Sequence, residues 1–270
     1  MDKTINITAT KPTTIKDLMS ETFSRRINAM ILKHGGEVLL NGKSFLGNVD
    51  ICANDKVQIR IPERSTPYPI KTELPIKIIY RDDDFIVLYK PTGIPCMPTH
   101  GHYHDNLLAG LAYLFPDETC RIVTRLDKDT CGLVLVALNG FTHYLLSSGV
   151  VKKYRATLSG ILNSVMEVDA PILSEPLVMK RKIDENGKPS KTVFKPLYYV
   201  DGNTVCDVTL LTGRTHQIRI HAAHIGHPIV GDTLYGNYVG GYNGGQQLEC
   251  VYLKFVNPYT KKVMEFFTDK

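Results

Sequence analysis

The sequence predicts an α+β chain in two parts, and three observations carry that prediction. Strand-like and helix-like stretches are mixed without a regular βαβ alternation, which argues against a doubly wound parallel sheet. Pro62, Pro67, Pro69 and Pro75 crowd one short stretch, with Glu63, Arg64, Ser65 and Thr66 among them. No helix or central strand accommodates prolines this dense, so 62–75 is expected to be a semi-rigid extended linker. The hydrophobic fraction of 43% against a charged fraction of 22% is ordinary for a protein with a packed core. The expected organisation is a small piece at 1–61, the linker at 62–75 and a larger piece at 76–270.

Within the small piece, Thr13 and Thr14 are placed to cap a short helix through Ile15, Leu18 and Phe23. Ser24 then caps a second helix from Arg25 to His34, whose apolar Ile27, Met30 and Ile31 recur at helical spacing. Gly35-Gly36 ends it by supplying positive φ. Glu37–Leu40 reads as a strand, Asn41-Gly42 as a tight turn, and Val57–Ile61 as a closing strand.

In the larger piece, Ile76–Tyr80 and Phe85–Tyr89 are apolar, β-branched runs flanking Arg81-Asp82-Asp83-Asp84, the pattern of a hairpin. Leu107–Phe115 has helical spacing. Gly132–Ala137 is a continuous apolar run, as expected of a buried strand. Asn186-Gly187 marks a turn between two strands, inside a basic cluster from Arg181 to Lys191. Residues 215–225 are expected to be helical, with Gly213 at the turn before them.

Bulk properties narrow the function only slightly. A net charge of +5 permits a polyanionic partner without requiring one. No apolar stretch approaches the roughly 18 residues of a membrane span. The start Met1-Asp2-Lys3-Thr4 lacks the apolar run of a signal peptide. Cysteines at 52, 96, 120, 131, 206 and 250 form no C-x-x-C pair, so a reducing cytoplasm is expected rather than a disulfide framework or a zinc spacing.

Two segments carry chemistry. In Arg125-Leu126-Asp127-Lys128-Asp129-Thr130-Cys131-Gly132, charge is packed against an apolar run. A carboxylate there is partly desolvated and stays ionised only if a cation or several donors face it. Spacing alone favours the simpler reading of a polar loop with a local ion pair. The second segment is Leu211-Thr212-Gly213-Arg214-Thr215-His216-Gln217-Ile218-Arg219-Ile220-His221, trailed by Gly226-His227-Pro228-Ile229-Val230-Gly231-Asp232. Arg219 lies one helical turn from Thr215 and His216, and faces inward only if it meets an acid or a phosphate. Periodicity does not identify that acid.

These segments, with Lys90-Pro91-x-Gly93, Lys152 or Lys153 before Tyr154-x-Ala156, and Leu253-x-Phe255-x-x-Pro258, resemble the RluA-type RNA pseudouridine synthases over about residues 76–268. The resemblance implies a fold with a mixed, largely antiparallel sheet. It also implies an isomerase that breaks the bond between ribose and uracil nitrogen, turns the base and rejoins it through carbon 5, with no metal and no organic cofactor. It makes Asp127 the catalytic carboxylate, as nucleophile or as base, with Arg219 as its ion-pair partner and Tyr154 as the ring that stacks on the flipped base. Residues 1–61, with Ser24-Arg25-Arg26 and Val38-Leu39-Leu40-Asn41-Gly42-Lys43, are similar to the small α/β RNA-binding domain called S-four.

The expected partner is therefore RNA, ribosomal in preference to transfer RNA, contacted by a monomer with no role for a membrane. Arg25, Arg26, Lys33 and Lys43 in the small domain, and Arg125, Arg214, Thr215, His216, Gln217 and His221 in the large one, are the expected RNA-binding residues. Three positions depart from the family's usual wording: Thr124 where histidine is common, Cys131 where serine is usual, and Leu248-Glu249-Cys250 where leucine-histidine-alanine is frequent. His100, His102 and His104 alternate, but Gly101 and the lack of a regular pattern favour a loop over a zinc site. Cys131 has no histidine nearby in sequence to serve as its base, which argues against a thiol nucleophile.

Overall fold

The structure is a computed structural model that describes residues 3–33, 35–62, 67–175, 178–236 and 245–268. The chain runs β1 (Lys3–Thr8), β2 (Thr13–Thr14), α1 (Ile15–Thr22), α2 (Arg25–Lys33), β3 (Glu37–Leu40), β4 (Lys43–Ser44), β5 (Asp50–Ile51) and β6 (Lys56–Ile61). The larger part follows with β7 (Lys77–Arg81), β8 (Phe85–Lys90), α3 (Leu107–Leu114), β9 (Arg121–Ile122), β10 (Cys131–Ala137), α4 (Gly140–Leu146) and β11 (Val151–Leu158). It ends with β12 (Met166–Asp169), β13 (Ile172–Leu173), β14 (Lys182–Ile183), β15 (Lys191–Val200), β16 (Asn203–Leu210), α5 (Gln217–His224), β17 (Leu248–Val256) and β18 (Val263–Phe267).

The caps fall where the side chains dictate. Thr14 Oγ1 accepts the Asp17 N–H and opens α1; Ser24 Oγ accepts the Ile27 N–H and opens α2. Asn41 and Gly42 both take positive φ, the backbone of a two-residue hairpin turn, and set Leu40 opposite Lys43. His34 and the side chains of Arg26 and Met30 lie outside the described residues. Strand β1 was not expected. β1 pairs antiparallel with β6 along its whole length, giving a small sheet in the order β1-β6-β3-β4. Its signal is the alternation of Ile5 and Ile7 with polar neighbours, present in the sequence but short.

The expectation that 62–75 is a spacer is only partly met. Residues 63–66 lie outside the described residues, and 67–75 form neither helix nor strand. Yet Leu74 and Ile76 press on α3 so closely that a Cβ on Gly110 would sit 2.4 Å from Ile76 Cδ1. The small domain is also docked rather than tethered. Its core of Ile15, Leu18, Ile31, Ile51 and Ile59 includes Phe141 of α4, with Leu145 and Tyr259 packed against it. Lys3 reaches across to form an ion pair with Asp84 while lying 4.1 Å over the Tyr259 ring.

The large sheet has the order β12-β15-β16-β11-β17-β10-β8-β7, with β18 beside β17 and β9 beside β10. It is mixed, because β10 runs parallel to β17 and antiparallel to β8. β10 is buried along its apolar run, as expected of a central strand. Asn186-Gly187 does form a turn, but β14 and β15 on either side are not partners: β14 pairs with β13 and β15 with β12 and β16. Gly132 is where the sheet draws tight. It has φ +114, and a Cβ there would lie 2.4 Å from the Cys250 carbonyl oxygen, so only glycine lets β17 approach. That approach brings the loop before β10 to its place over the sheet.

Candidate active site

Asp127 lies in the loop that leads into β10, closed by the Thr130 N–H on the Asp127 carbonyl. The loop is held from beneath by Lys90. This lysine has no exposed surface, and its ammonium donates three hydrogen bonds of 2.8 Å to the carbonyls of Pro91, Ile94 and Lys128. Burial pulls its pKa down to about 8, against the opposing pull of Cys96, Cys131, Asp129 and Asp127. At neutral pH it still has three protons for three carbonyls. Lys90 appeared in the sequence only as part of a motif; its function as a tie between two loops is readable only in three dimensions. Thr130 is tied in turn to Gln246 beside β17.

Arg219 projects from α5 and is nearly buried. Its Nε and Nη2 donate to both oxygens of Asp232 at 2.7 and 2.9 Å, while Nη1 donates to Asp127 Oδ2 at 3.3 Å. The expected pairing of Arg219 with Asp127 is present, but Asp232 is the closer, two-pronged partner. The signal for it lay in the trailing Gly231-Asp232, which periodicity along α5 does not connect to Arg219. Burial alone would raise the Asp232 carboxyl, but hydrogen bonding and charge from Arg219, with the N–H groups of Tyr235 and Leu234, outweigh it and hold it below the usual carboxylate range.

Tyr154 sits on β11 where the register against β17 shifts, and is 5% exposed. Its hydroxyl is pushed well above the ordinary tyrosine range, first by burial and then by Cys250 and Asp127. Lys152 Nζ lies 5.5 Å from the ring centroid and also donates to the Arg125 carbonyl, so the tyrosine and the Asp127 loop share a wall. His216 precedes α5 with a left-handed backbone (φ 58, ψ 16). Its Nε2 is 3.9 Å from Asp127 Oδ2, and its Nδ1 is 3.0 Å from the Tyr235 hydroxyl. Burial lowers the imidazole's pKa below the ordinary histidine value. Among the described residues, the nitrogens of Arg219 and His216 that approach Asp127 both approach Oδ2.

Two of the expected RNA contacts are corrected. Gln217 is buried, accepts from Thr212 Oγ1 and the Arg214 N–H, and donates to Lys191 O and Thr192 Oγ1. His221 has no exposed surface and bridges Thr192 Oγ1 and the Ala170 carbonyl. Their side chains bolt α5 to the sheet. The helix starts at Gln217, so both face the sheet rather than solvent, and spacing could not show which face that was. Arg125, Arg214 and Thr215 are exposed near the site, and Arg25, Lys33 and Lys43 are exposed on the small domain. The departures from the family wording also have local partners. Thr124 Oγ1 accepts the Leu135 N–H, and the Cys131 thiol lies 3.7 Å from the Leu248 carbonyl. His102 pairs with Asp105 at 2.7 Å and takes part in a short bridge with Thr99.

The arrangement offers a partly exposed carboxylate, a guanidinium fixed by a second acid, and a buried ring. Comparison with known proteins gives the chain's family. A model of the RNA pseudouridylate synthase family matches residues 84–224. An uncharacterized RNA pseudouridine synthase of Bacillus subtilis, YjbO, is 33% identical over 94% of each chain. Ribosomal large subunit pseudouridine synthase D of Buchnera aphidicola is 31% identical over 85% of this chain and 81% of its own. Among solved structures, human RNA pseudouridylate synthase domain containing 1 aligns with TM-score 0.60 and 30% identity, over 72% of this chain and 83% of its own.

Proposed function

The chain belongs to the RNA pseudouridylate synthase family, and from that premise we propose that it isomerises specific uridines in structured RNA, ribosomal RNA foremost, with Asp127 as the reacting carboxylate. One observation carries the assignment: Asp127 is a partly exposed acid whose Oδ2 faces Arg219 Nη1 at 3.3 Å, while Arg219 itself is anchored on Asp232. An arginine with its own buried counter-ion is a fixed cation, and a fixed cation can stabilise charge that develops on its neighbour without reorganising. Both contacts fall on Oδ2, so Oδ1 is the oxygen that meets the substrate.

Tyr154 supplies the apolar surface for a uracil taken out of its stack. Its raised hydroxyl keeps it a neutral phenol able to exchange a hydrogen bond with the base. The exposed Arg125, Lys128, Arg214 and Thr215 around the opening suit the phosphates on either side of the flipped nucleotide. The small domain, docked through Phe141 and Tyr259, extends that surface with Arg25, Lys33 and Lys43. The ribosomal preference rests on the relative named for the large ribosomal subunit. The cytoplasm, where such RNA is made and modified in bacteria, is the corresponding place of action.

The test is conversion of uridine in transcribed large-subunit ribosomal RNA, followed by release of tritium from carbon 5. The parent should release it, and Asp127→Asn should not while still binding the RNA. A variant that turns over near the parent's rate would remove Asp127 from the reaction. Absence of release by the parent, with release from transfer RNA instead, would move the substrate class. Deleting residues 1–61 should weaken RNA affinity and, because Phe141 and Tyr259 lose their cover, also lower solubility.

A further inference from the structure

His216 lies 3.9 Å from Asp127 Oδ2, and Tyr235 stands behind it against the His216 ring and Arg219. His216 is held at a left-handed backbone position that costs a non-glycine residue about 1–3 kcal/mol unless its surroundings impose it. It makes no side-chain cap for α5. Its ring instead stands edge-on to Tyr235, with centroids 5.7 Å apart and planes at 76°. The strained backbone thus aims an imidazole between a phenol and Asp127.

The hydrogen bonds set that imidazole's tautomer. The Tyr235 oxygen receives the backbone N–H of Arg181 at 2.8 Å. A neutral phenol has one proton of its own to give, and with its oxygen occupied that proton goes to His216 Nδ1 at 3.0 Å. Nδ1 is then the acceptor and Nε2 carries the hydrogen. Nε2 is the nitrogen facing Asp127 Oδ2, at 3.9 Å.

We propose that His216 is a positioning residue for Asp127: Tyr235 holds it as the Nε2–H tautomer, and its N–H steadies Oδ2 beside Arg219 so that Oδ1 stays turned to the substrate. The inference rests on the reading of Asp127 as the reacting carboxylate. At 3.9 Å the contact is longer than a hydrogen bond, and the N–H acts on Oδ2 through its charge distribution in a partly buried site. The groups facing His216 are Asp127 and Asp232, which favour its charged form, Arg219 and Arg181, which oppose it, and the Tyr235 hydroxyl. Burial is the largest influence and keeps the ring neutral.

Tyr235→Phe removes only the hydroxyl and leaves the ring against Arg219, 5.3 Å from the guanidinium carbon. With tritium-labelled ribosomal RNA, kcat should fall about tenfold with KM unchanged. The titration of His216, followed by nitrogen NMR, should also move up toward the ordinary histidine value of about 6.5, because Nδ1 regains its lone pair. His216→Asn suits the left-handed backbone but does not reach Asp127, and should lose at least as much kcat. His216→Gln, which places an N–H near the Nε2 position, should recover part of it. Unchanged kcat in Tyr235→Phe and His216→Asn would overturn the proposal, as would a raised KM at parental kcat, the mark of an RNA contact. Nitrogen NMR of the parent protein's histidine rings gives a readout that no variant's folding affects: a hydrogen on Nδ1 of His216 would equally overturn it. An Asp127→Asn enzyme that remains active would instead refute the reading of Asp127.

Discussion

Asp127 and Asp232 touch the same guanidinium and are otherwise opposites. Asp232 has a side chain without exposed surface, grips Arg219 with both oxygens and accepts the N–H groups of Leu234 and Tyr235. Asp127 keeps 26% of its side chain exposed and meets one nitrogen at 3.3 Å. The first carboxylate has both oxygens engaged; the second, among the described residues, engages only Oδ2. The difference teaches that a buried arginine facing a partly exposed acid needs a counter-ion of its own. Without one, the guanidinium would be a buried charge dependent on a carboxylate that solvent also reaches.

The comparison can be broken by exchanging the fates of the two acids. Asp127→Asn should lower turnover by at least about 1,000-fold, the equivalent of about 4 kcal/mol in the barrier, with a melting temperature close to the parent's. Asp232→Asn should lower turnover about 100-fold and also destabilise the fold by about 3–5 kcal/mol, because the buried Arg219 loses its two-pronged counter-ion and keeps only the single contact to Asp127. Equal stability losses in chemical denaturation of the two variants would erase the distinction. Lys90→Met bears on the loop rather than the acids. It orphans three carbonyls at about 1–3 kcal/mol each, and turnover should fall about tenfold as the Asp127 loop loosens, read from single-turnover rates.

Acid gives the smallest and finest test. The Asp232 carboxyl is depressed in the folded state, so its contribution is present above the unfolded value of about 3.9 and is lost as pH falls through the folded one. Below about pH 4 the parent should therefore lose stability more steeply than Asp232→Asn. Parallel curves for the two proteins in that range would mean that Asp232 is not the acid-sensitive anchor.

Much of the fold was legible because its causes are local. Thr14 and Ser24 cap the helices that follow them, and Asn41-Gly42 makes the turn that its positive φ values require. The apolar run at β10 is buried as read. The site was legible as a set of residues, through motifs, but not as an arrangement. Gln217 and His221 looked like RNA contacts because they sit in a polar motif, yet α5 turns both onto the sheet, where Thr192 binds each of them. β1 was missed because its two alternating isoleucines are a weak signal until β6 pairs with them.

By itself the sequence determined the α+β class and the caps and turns, and it singled out Asp127, Tyr154 and Arg219 as candidates for the site. Each follows from side-chain chemistry within a few positions or from an ordered set of motifs. Only the tertiary structure decided that Arg219 is anchored on Asp232, that Lys90 ties the loop of Asp127, and that His216 is aimed by Tyr235. It also decided that the small domain shares its core with Phe141. Those choices join residues on different elements and loops, Lys90 and Lys128 being 38 positions apart. Such contacts form only where packed elements bring them within a few ångströms, and no local pattern records that distance.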